Sequence, residues 1–141
     1  MGITSYVLNI GGNISAIGTK PSGDGWKTAI KNPTDPSRYS LYVELSNESC
    51  VTSGNYERYF VSRGKKYHHI IDPKTLYPAE YFGSVTVITE DSGLADALST
   101  ALFCMSYEEG LALISSIGGV EAVWIYENGE IKTTSGIKVL S

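Results

Sequence analysis

Residues 84–105 read SVTVITEDSGLADALSTALFCM, and this stretch decides the fold. Its first six residues are rich in Val, Ile and Thr, which is typical of a strand. The period then changes, because apolar residues recur every three or four positions from Leu94 to Met105, as on one face of a helix. Ser92 is the expected N-cap. The stretch therefore predicts a strand followed directly by an amphipathic helix.

The residues after this stretch predict a second helix and a closing hairpin. Ser106-Tyr107-Glu108-Glu109 has the pattern of a capping box, so a helix is expected to begin there and to end before Gly118-Gly119. Residues 121–126 and 130–134 flank an Asn128-Gly129 turn, which is a strong hairpin signal.

Upstream of residue 84 the pattern predicts short strands and turns. Apolar or alternating runs, separated by turns rich in Gly, Pro and Asn, occur at residues 6–10, 14–17, 26–30, 40–45 and 50–53. A hairpin is expected from residues 59–62 and 65–71 around Arg63-Gly64. Strands dominate and the helices come late. We therefore predict an α+β fold with a mostly antiparallel sheet, in one unit over residues 1–141.

Composition is that of a folded domain. The 141 residues are 42% apolar, with 11 basic and 15 acidic residues, enough for one core. No basic run exceeds the short Arg63-Gly64-Lys65-Lys66 cluster, so no nucleic-acid surface is expected. No apolar run approaches the roughly 20 residues of a membrane span, and no signal peptide is recognisable. Cys50 and Cys104 are expected to be small core residues rather than a disulfide pair.

The start of the chain suggests a piece of a longer protein. An apolar run at residues 6–10, interpreted as a buried strand, follows Met1-Gly2 almost at once. Because a native protein rarely begins inside its core, we expect a truncated chain to which the initiating methionine was added.

One face of the predicted first helix carries oxygen ligands. Asp96 and Thr100 are four residues apart, which places them one above the other, and Ser92 lies one turn earlier. A carboxylate and a hydroxyl suit Mg²⁺, which takes few protein ligands and leaves room for phosphate oxygens. On spacing alone, the ordinary polar face of an amphipathic helix is the favoured interpretation.

His68 and His69 are the only histidines of the chain. Neighbouring strand residues point to opposite faces, so one is expected to face a site and the other solvent. Histidine is a natural general base near neutral pH. Without further context, two surface imidazoles on a hairpin are favoured.

Two loops are further candidates for ligand binding. Gly11-Gly12-Asn13 follows a strand and would let the backbone approach a phosphate, although alone it is a turn. Arg58 would pair with a phosphate or, equally well, with an acidic side chain of the chain itself.

The order and spacing of these segments resemble the C-terminal half of the ApbE family, the FAD:protein FMN transferases. The resemblance spans essentially the whole chain. The segments that carry it are LNIGGN at 8–13, SGNYERYF at 53–60, HHIIDPKT at 68–75 and ADALSTA at 95–101, with VWI at 123–125 and Gly136 also in place.

The resemblance implies an activity and partners. The family moves FMN from FAD onto a Ser or Thr hydroxyl of a flavoprotein and releases AMP, with Mg²⁺ bridging the pyrophosphate. Its targets include subunits of Na⁺-pumping NADH:quinone reductases and Rnf complexes. A longer protein of this kind is expected in the periplasm or on the extracellular face of the membrane, as an anchored lipoprotein.

The resemblance also implies residue roles. The base of the family corresponds to His69, its metal ligands to Asp96 and Thr100, and the backbone at Ile70 would lie against the flavin nucleotide. The residue before the Thr is Asp in some members and is Ser99 here. Gly12, Asn13 and Arg58 complete the expected cofactor-binding set.

Two departures leave alternatives open. Leu76 stands where the family usually has Gly, and the N-terminal half that supplies much of the FAD pocket has no counterpart in this sequence. We expect little or no activity from these 141 residues alone. The alternatives are a non-catalytic flavin-binding or periplasmic interaction module and a Mg²⁺-dependent FAD pyrophosphatase.

Overall fold

The computed structural model describes residues 2–140. Numbered in chain order, its strands are β1 (Tyr6–Ile10), β2 (Asn13–Ile17), β3 (Trp26–Lys31), β4 (Tyr39–Leu45), β5 (Glu48–Gly54), β6 (Tyr59–Ser62), β7 (Lys65–His68), β8 (Ser84–Thr89), β9 (Glu121–Ile125), β10 (Ile131–Thr133) and β11 (Val139–Leu140). The helices are α1 (Ser92–Phe103) and α2 (Tyr107–Ser116). No helix within residues 2–140 is long and apolar enough to cross a membrane.

The strands form one large sheet, one small sheet and a separate hairpin. The large sheet has the order β1-β2-β5-β8-β9-β10, and every neighbouring pair in it is antiparallel. The small sheet has the order β11-β4-β3, and β6 pairs with β7 alone. The predicted α+β fold with a mostly antiparallel sheet is confirmed.

Strand β8 lies at the centre because both of its faces are covered. Val85 and Val87 belong to a core that includes the helices, whereas Ile88 belongs to a second core shared with the small sheet. Successive strand residues point to opposite faces. Both faces of this strand are therefore buried, and all six of its residues are covered.

The helix ends follow local capping chemistry. At α1 the predicted N-cap, Ser92, is wrong by one residue: Asp91 is the cap, and its Oδ1 accepts hydrogen bonds from the amides of Gly93 and Leu94 at 2.8 and 3.0 Å. A carboxylate at this position also interacts favourably with the positive end of the helix. The capping box of Ser106 and Glu109 at α2 is confirmed.

Two strand predictions need correction. Residues 6–10 were expected to be buried, but β1 is exposed along its length, because it is an edge strand that pairs only with β2. The strand predicted to reach residue 71 ends at His68. Beyond that point the chain pairs with a different segment, since the Ile70 carbonyl accepts from the Ala79 amide at 3.0 Å.

Leu76 occupies a backbone conformation that favours glycine. Its φ is 61° and its side chain is 77% exposed, so strain in the left-handed region is not offset by burial. We expect Leu76→Gly to raise the free energy of unfolding by about 0.5–1 kcal/mol. This gain is the steric strain that glycine relieves minus the extra conformational entropy that glycine loses on folding. Leu76→Ala, which keeps the Cβ, is the matched control in urea unfolding. A glycine variant no more stable than the alanine variant would contradict the strain argument.

Candidate active site

A groove of about 760 Å³ opens on the side of the large sheet that carries β1, β2 and β5. Strand β3, the edge of the small sheet, forms another wall, and α1 contributes to its border. Residues from six separate stretches of the chain therefore meet in one depression.

Most of the predicted site residues line this groove. The β1–β2 turn supplies two of them, the segment after β5 one, the chain after β7 one and α1 two: Gly12, Asn13, Arg58, His69, Asp96 and Thr100. The turn has the geometry expected of its glycines, because Gly11 and Gly12 have φ values of 62° and 98°. The five ion pairs found within residues 2–140 do not include Arg58, so the expected internal partner for this side chain is not among them.

Two predicted residues do not line the groove. Ile70 is buried in the helix-side core, and its amide and carbonyl are bonded to His68 Nδ1 and to the Ala79 amide. Ser99 is fully buried, and its Oγ lies 2.9 Å from Ser53 Oγ. Asp72 is also buried and shapes a turn, because its Oδ1 accepts from the amide of Lys74 at 2.8 Å.

His69 is held in one tautomer by the backbone of Arg58. The Arg58 carbonyl accepts from the His69 amide and lies 3.2 Å from its Nδ1. A carbonyl oxygen can only accept, so Nδ1 carries the hydrogen and Nε2 of the neutral ring has a free lone pair. The ring is exposed and borders the groove. A fixed imidazole with a bare Nε2 is the arrangement that a general base needs.

The other histidine, His68, was expected to face solvent but is buried. His68 is only 7% exposed, and its ring meets that of Phe103 on α1 edge to face, with centroids 5.6 Å apart. The alternation rule correctly separates the two side chains, but the opposite face of the strand is covered by the helix.

The oxygen atoms near α1 form a cluster. The hydroxyls of Ser99 and Thr100 both donate to the Asp96 carbonyl, at 3.0 and 3.3 Å. Both hydroxyls can therefore only accept further hydrogen bonds, and the single hydroxyl hydrogen of Ser53, whose Oγ lies 3.1 Å from Thr100 Oγ1, is left to donate to one of them. Asn13 Nδ2 approaches Asp96 Oδ1 at 3.5 Å from across the groove.

This cluster fits a Mg²⁺ ion that is also bound by substrate. Within residues 2–140 no three His, Cys, Asp or Glu side chains converge as a complete metal site. One carboxylate and a hydroxyl are hard oxygen donors, and Mg²⁺ characteristically takes one or two carboxylates together with phosphate oxygens. Asp96 and Thr100 would hold such an ion, while Ser53 positions the Thr100 hydroxyl.

Sequence reasoning missed the wall formed by β3. Lys27 and Lys31 both line the groove; the Lys27 ammonium lies 4.2 Å from the Tyr42 ring centroid, and the Lys31 ammonium 4.0 Å from Glu57. The available signal was the alternation of residues 26–31, which places these lysines on the face opposite the apolar one. They give the groove two cationic groups besides Arg58.

Tyr56 lines the groove close to the end of β5. Burial, and then the neighbouring Glu57 carboxylate, raise the pKa of Tyr56 to about 12, so its hydroxyl remains a hydrogen-bond donor at neutral pH. A Cβ at Gly54 would lie 2.5 Å from the Tyr56 ring. Glycine at position 54 is therefore what allows the ring to lie against the strand.

The sequence and the fold of this chain match one known family. The model of the ApbE family matches residues 1–124. Among curated relatives, the FAD:protein FMN transferase of Treponema pallidum is 38% identical over 96% of this chain and 40% of its own length. That of Klebsiella pneumoniae is 35% identical over 94% of this chain and 41% of its own length.

Solved structures give the same match. The ApbE protein of Thermotoga maritima aligns with a TM-score of 0.83 and 38% identity, over 93% of this chain and 43% of that one. The flavinyl transferase ApbE of Pseudomonas stutzeri, in its apo form, aligns with a TM-score of 0.70 and 37% identity, over 94% and 41%. This chain spans about two fifths of the length of these relatives.

Proposed function

The chain belongs to the ApbE family, and we propose that it supplies the catalytic edge of an enzyme that transfers FMN from FAD to a Ser or Thr hydroxyl of an acceptor flavoprotein. The observation that carries the proposal is the shared groove. His69, whose Nε2 is bare, lines one depression together with Asp96 and Thr100, although the three come from segments far apart in sequence.

The proposed reaction is a phosphoryl-type transfer. The acceptor hydroxyl oxygen bonds to the phosphorus of the FMN half of FAD, the bond from that phosphorus to the bridging oxygen breaks, and AMP leaves. A Ser or Thr hydroxyl is a weak nucleophile, so His69 Nε2 takes its proton. Mg²⁺ held by Asp96 and Thr100 would neutralise negative charge on the pyrophosphate.

Other charged groups of the groove support the same substrate class. Lys27, Lys31 and Arg58 are cationic, and a dinucleotide pyrophosphate is anionic. We propose that these groups contact FAD. We also propose that the acceptor is a subunit of a Na⁺-pumping NADH:quinone reductase or of an Rnf complex. Location on the exported side of the membrane, as a lipoprotein, is proposed from the family resemblance alone; fractionation of cells that make the full-length protein tests it.

The test uses the full-length protein that carries this chain. It is incubated with FAD, Mg²⁺ and an acceptor domain, and covalent flavin is read as fluorescence on a denaturing gel and as an added FMN mass. The proposal expects acceptor labelling with release of AMP. Free FMN and AMP without acceptor labelling would instead indicate an FAD pyrophosphatase. FAD binding with neither product would indicate a flavin-binding module.

The 141 residues expressed alone should label the acceptor at least about 100-fold more slowly than the full-length protein. The groove is open to solvent, and the chain covers only about 40% of the length of its curated relatives. Misplacement of a substrate by about 1 Å already costs on the order of 100-fold in rate. Initial rates at equal protein concentration measure this, and equal labelling by the two proteins would refute it.

A further inference from the structure

The two adjacent histidines are held in opposite tautomers. His68 Nε2 lies 2.9 Å from the Ala79 carbonyl, which can only accept, so Nε2 carries the hydrogen. Its Nδ1 accepts from the Ile70 amide at 3.3 Å and is therefore bare. In His69 the assignment is reversed, because the Arg58 carbonyl requires a hydrogen on Nδ1.

This difference determines which ring can carry a proton without disturbing the fold. Protonation of His69 at Nε2 leaves its bond to the Arg58 carbonyl intact. Protonation of His68 at Nδ1 would place an N–H against the Ile70 N–H and break that bond. Within the pair, only His69 is built to gain and lose a proton during a reaction.

His68 also joins three parts of the structure. Through Ala79 it holds the segment that precedes β8, through the Phe103 ring it contacts α1, and through Ile70 it fixes the residue that directly follows His69. Since α1 carries Asp96 and Thr100, the His68 ring sets the proposed base relative to the oxygen cluster.

We propose that His68 is a positioning residue for the flavin-transfer reaction, a neutral Nε2–H imidazole that fixes the His69–Ile70 backbone and thereby the orientation of the His69 ring. The kinetic consequence of this inference rests on the proposed function. The tautomers do not depend on that function, because they are a property of the folded chain.

The surroundings of His68 favour its neutral form. Burial, and then the charges of Lys66 and His69, lower its pKa below the usual value, against the opposing effects of the Ala79 carbonyl and of Glu127. Lys66 lies on β7 and Glu127 follows β9, while α1 presents the uncharged Phe103. The unfolded chain therefore takes up this proton at a higher pH than the folded one. Stability contributed by neutral His68 is lost as the pH falls below about 6.5, the ordinary value, toward the lowered one.

Three substitutions separate the bonds of His68. In His68→Asn the amide oxygen replaces Nδ1 as acceptor for Ile70, in His68→Gln the amide nitrogen replaces Nε2 as donor to Ala79, and His68→Leu keeps bulk without either bond. Ile114→Val, a conservative change in the same core but on α2, is the matched control for packing. In the full-length protein, we expect His68→Leu to lower kcat at least tenfold, with KM for FAD within twofold. His68→Asn should recover most of the loss, and Ile114→Val should stay at the wild-type level.

The pH profile gives a readout that a packing role would not move. Protonation of His69 removes the proposed base, and protonation of His68 breaks the bond to the Ile70 amide, so log kcat of the wild type should fall at low pH with a slope that exceeds one. In His68→Asn the slope should not exceed one. A slope above one in His68→Asn, or a kcat of His68→Leu equal to that of Ile114→Val, would overturn the proposal.

A spectroscopic measurement separates this inference from the proposed function. Long-range ¹H–¹⁵N spectra of the 141-residue chain should show His68 protonated at Nε2 and His69 at Nδ1. His68→Leu should disturb the His69 signals, whereas His68→Asn and Ile114→Val should leave them in place. If the wild type transfers no flavin but these spectra hold, only the proposed function fails. If both rings carry the hydrogen on the same nitrogen, the positioning role is refuted whatever the activity.

Discussion

In the full-length protein, His69→Ala is expected to lower kcat for flavin transfer by about 1,000-fold, within the range of general base catalysis. His69 lines the groove with its Nε2 bare, and Nδ1 is committed to the Arg58 carbonyl, so the ring is both available and oriented. Alanine removes the acceptor of the proton and leaves the rest of the groove unchanged. KM for FAD should therefore change little, because the lost interaction is made as the hydroxyl attacks.

Two controls make this result specific to proton transfer. Added imidazole should restore part of the rate of His69→Ala, since a free base can occupy the space of the missing ring. Glu90→Gln, an exposed change outside the groove, should behave like the wild type. Undiminished labelling by His69→Ala would show that His69 is not the base. The oxygen cluster would then have no identified base beside it.

The elements of this fold were predictable because their signals are local. The Val, Ile and Thr run of β8 and the apolar stripe of α1 each depend on residues within one stretch, and the capping box of α2 lies within four residues. The N-cap of α1 was misplaced because Asp91 and Ser92 are both good caps, and only the backbone conformation selects between them.

Burial could not be predicted in the same way, since it depends on which layers meet. The apolar sequence of β1 is that of a covered strand, yet its position at the edge of the sheet leaves Ile10 73% exposed. The alternation of His68 and His69 was predictable, whereas the identity of the covering group was not. Phe103 lies 35 positions after His68, and the packing of α1 brings it there.

The site was predictable as a set of residues and not as an arrangement. Spacing alone gave Asp96 and Thr100 as a helix stripe, and family resemblance connected them with His69. Ser53 and the lysines of β3 were missed, because the contact of Ser53 with Thr100 spans 47 positions and the groove forms only when the small sheet packs beside the large one. Residues that act through such contacts carry no spacing signal in the sequence.

The second large effect is expected at Asp96. Asp96→Asn in the full-length protein should raise the Mg²⁺ concentration for half-maximal transfer by at least about 100-fold. Asp96 is the one carboxylate of the oxygen cluster that lines the groove, and loss of an outer partner of a metal ligand alone costs about 10- to 100-fold in affinity. Asparagine keeps the size of the side chain and an oxygen near Asn13, so the change is mainly one of charge. Rates measured over a series of Mg²⁺ concentrations, at saturating FAD, give the shift.

Asp91→Asn is the matched control, because it removes the same charge from the same helix five positions earlier. Asparagine caps a helix about as well as aspartate, so α1 should keep its start, and Asp91 does not line the groove. Its Mg²⁺ requirement should stay within about twofold of the wild type, as expected for a screened charge at a distance. An equal shift in both variants would mean that the helix contributes only a general negative potential. A shift confined to Asp96→Asn, with a smaller one in Thr100→Val, would instead assign the ion to the carboxylate and hydroxyl that border the groove.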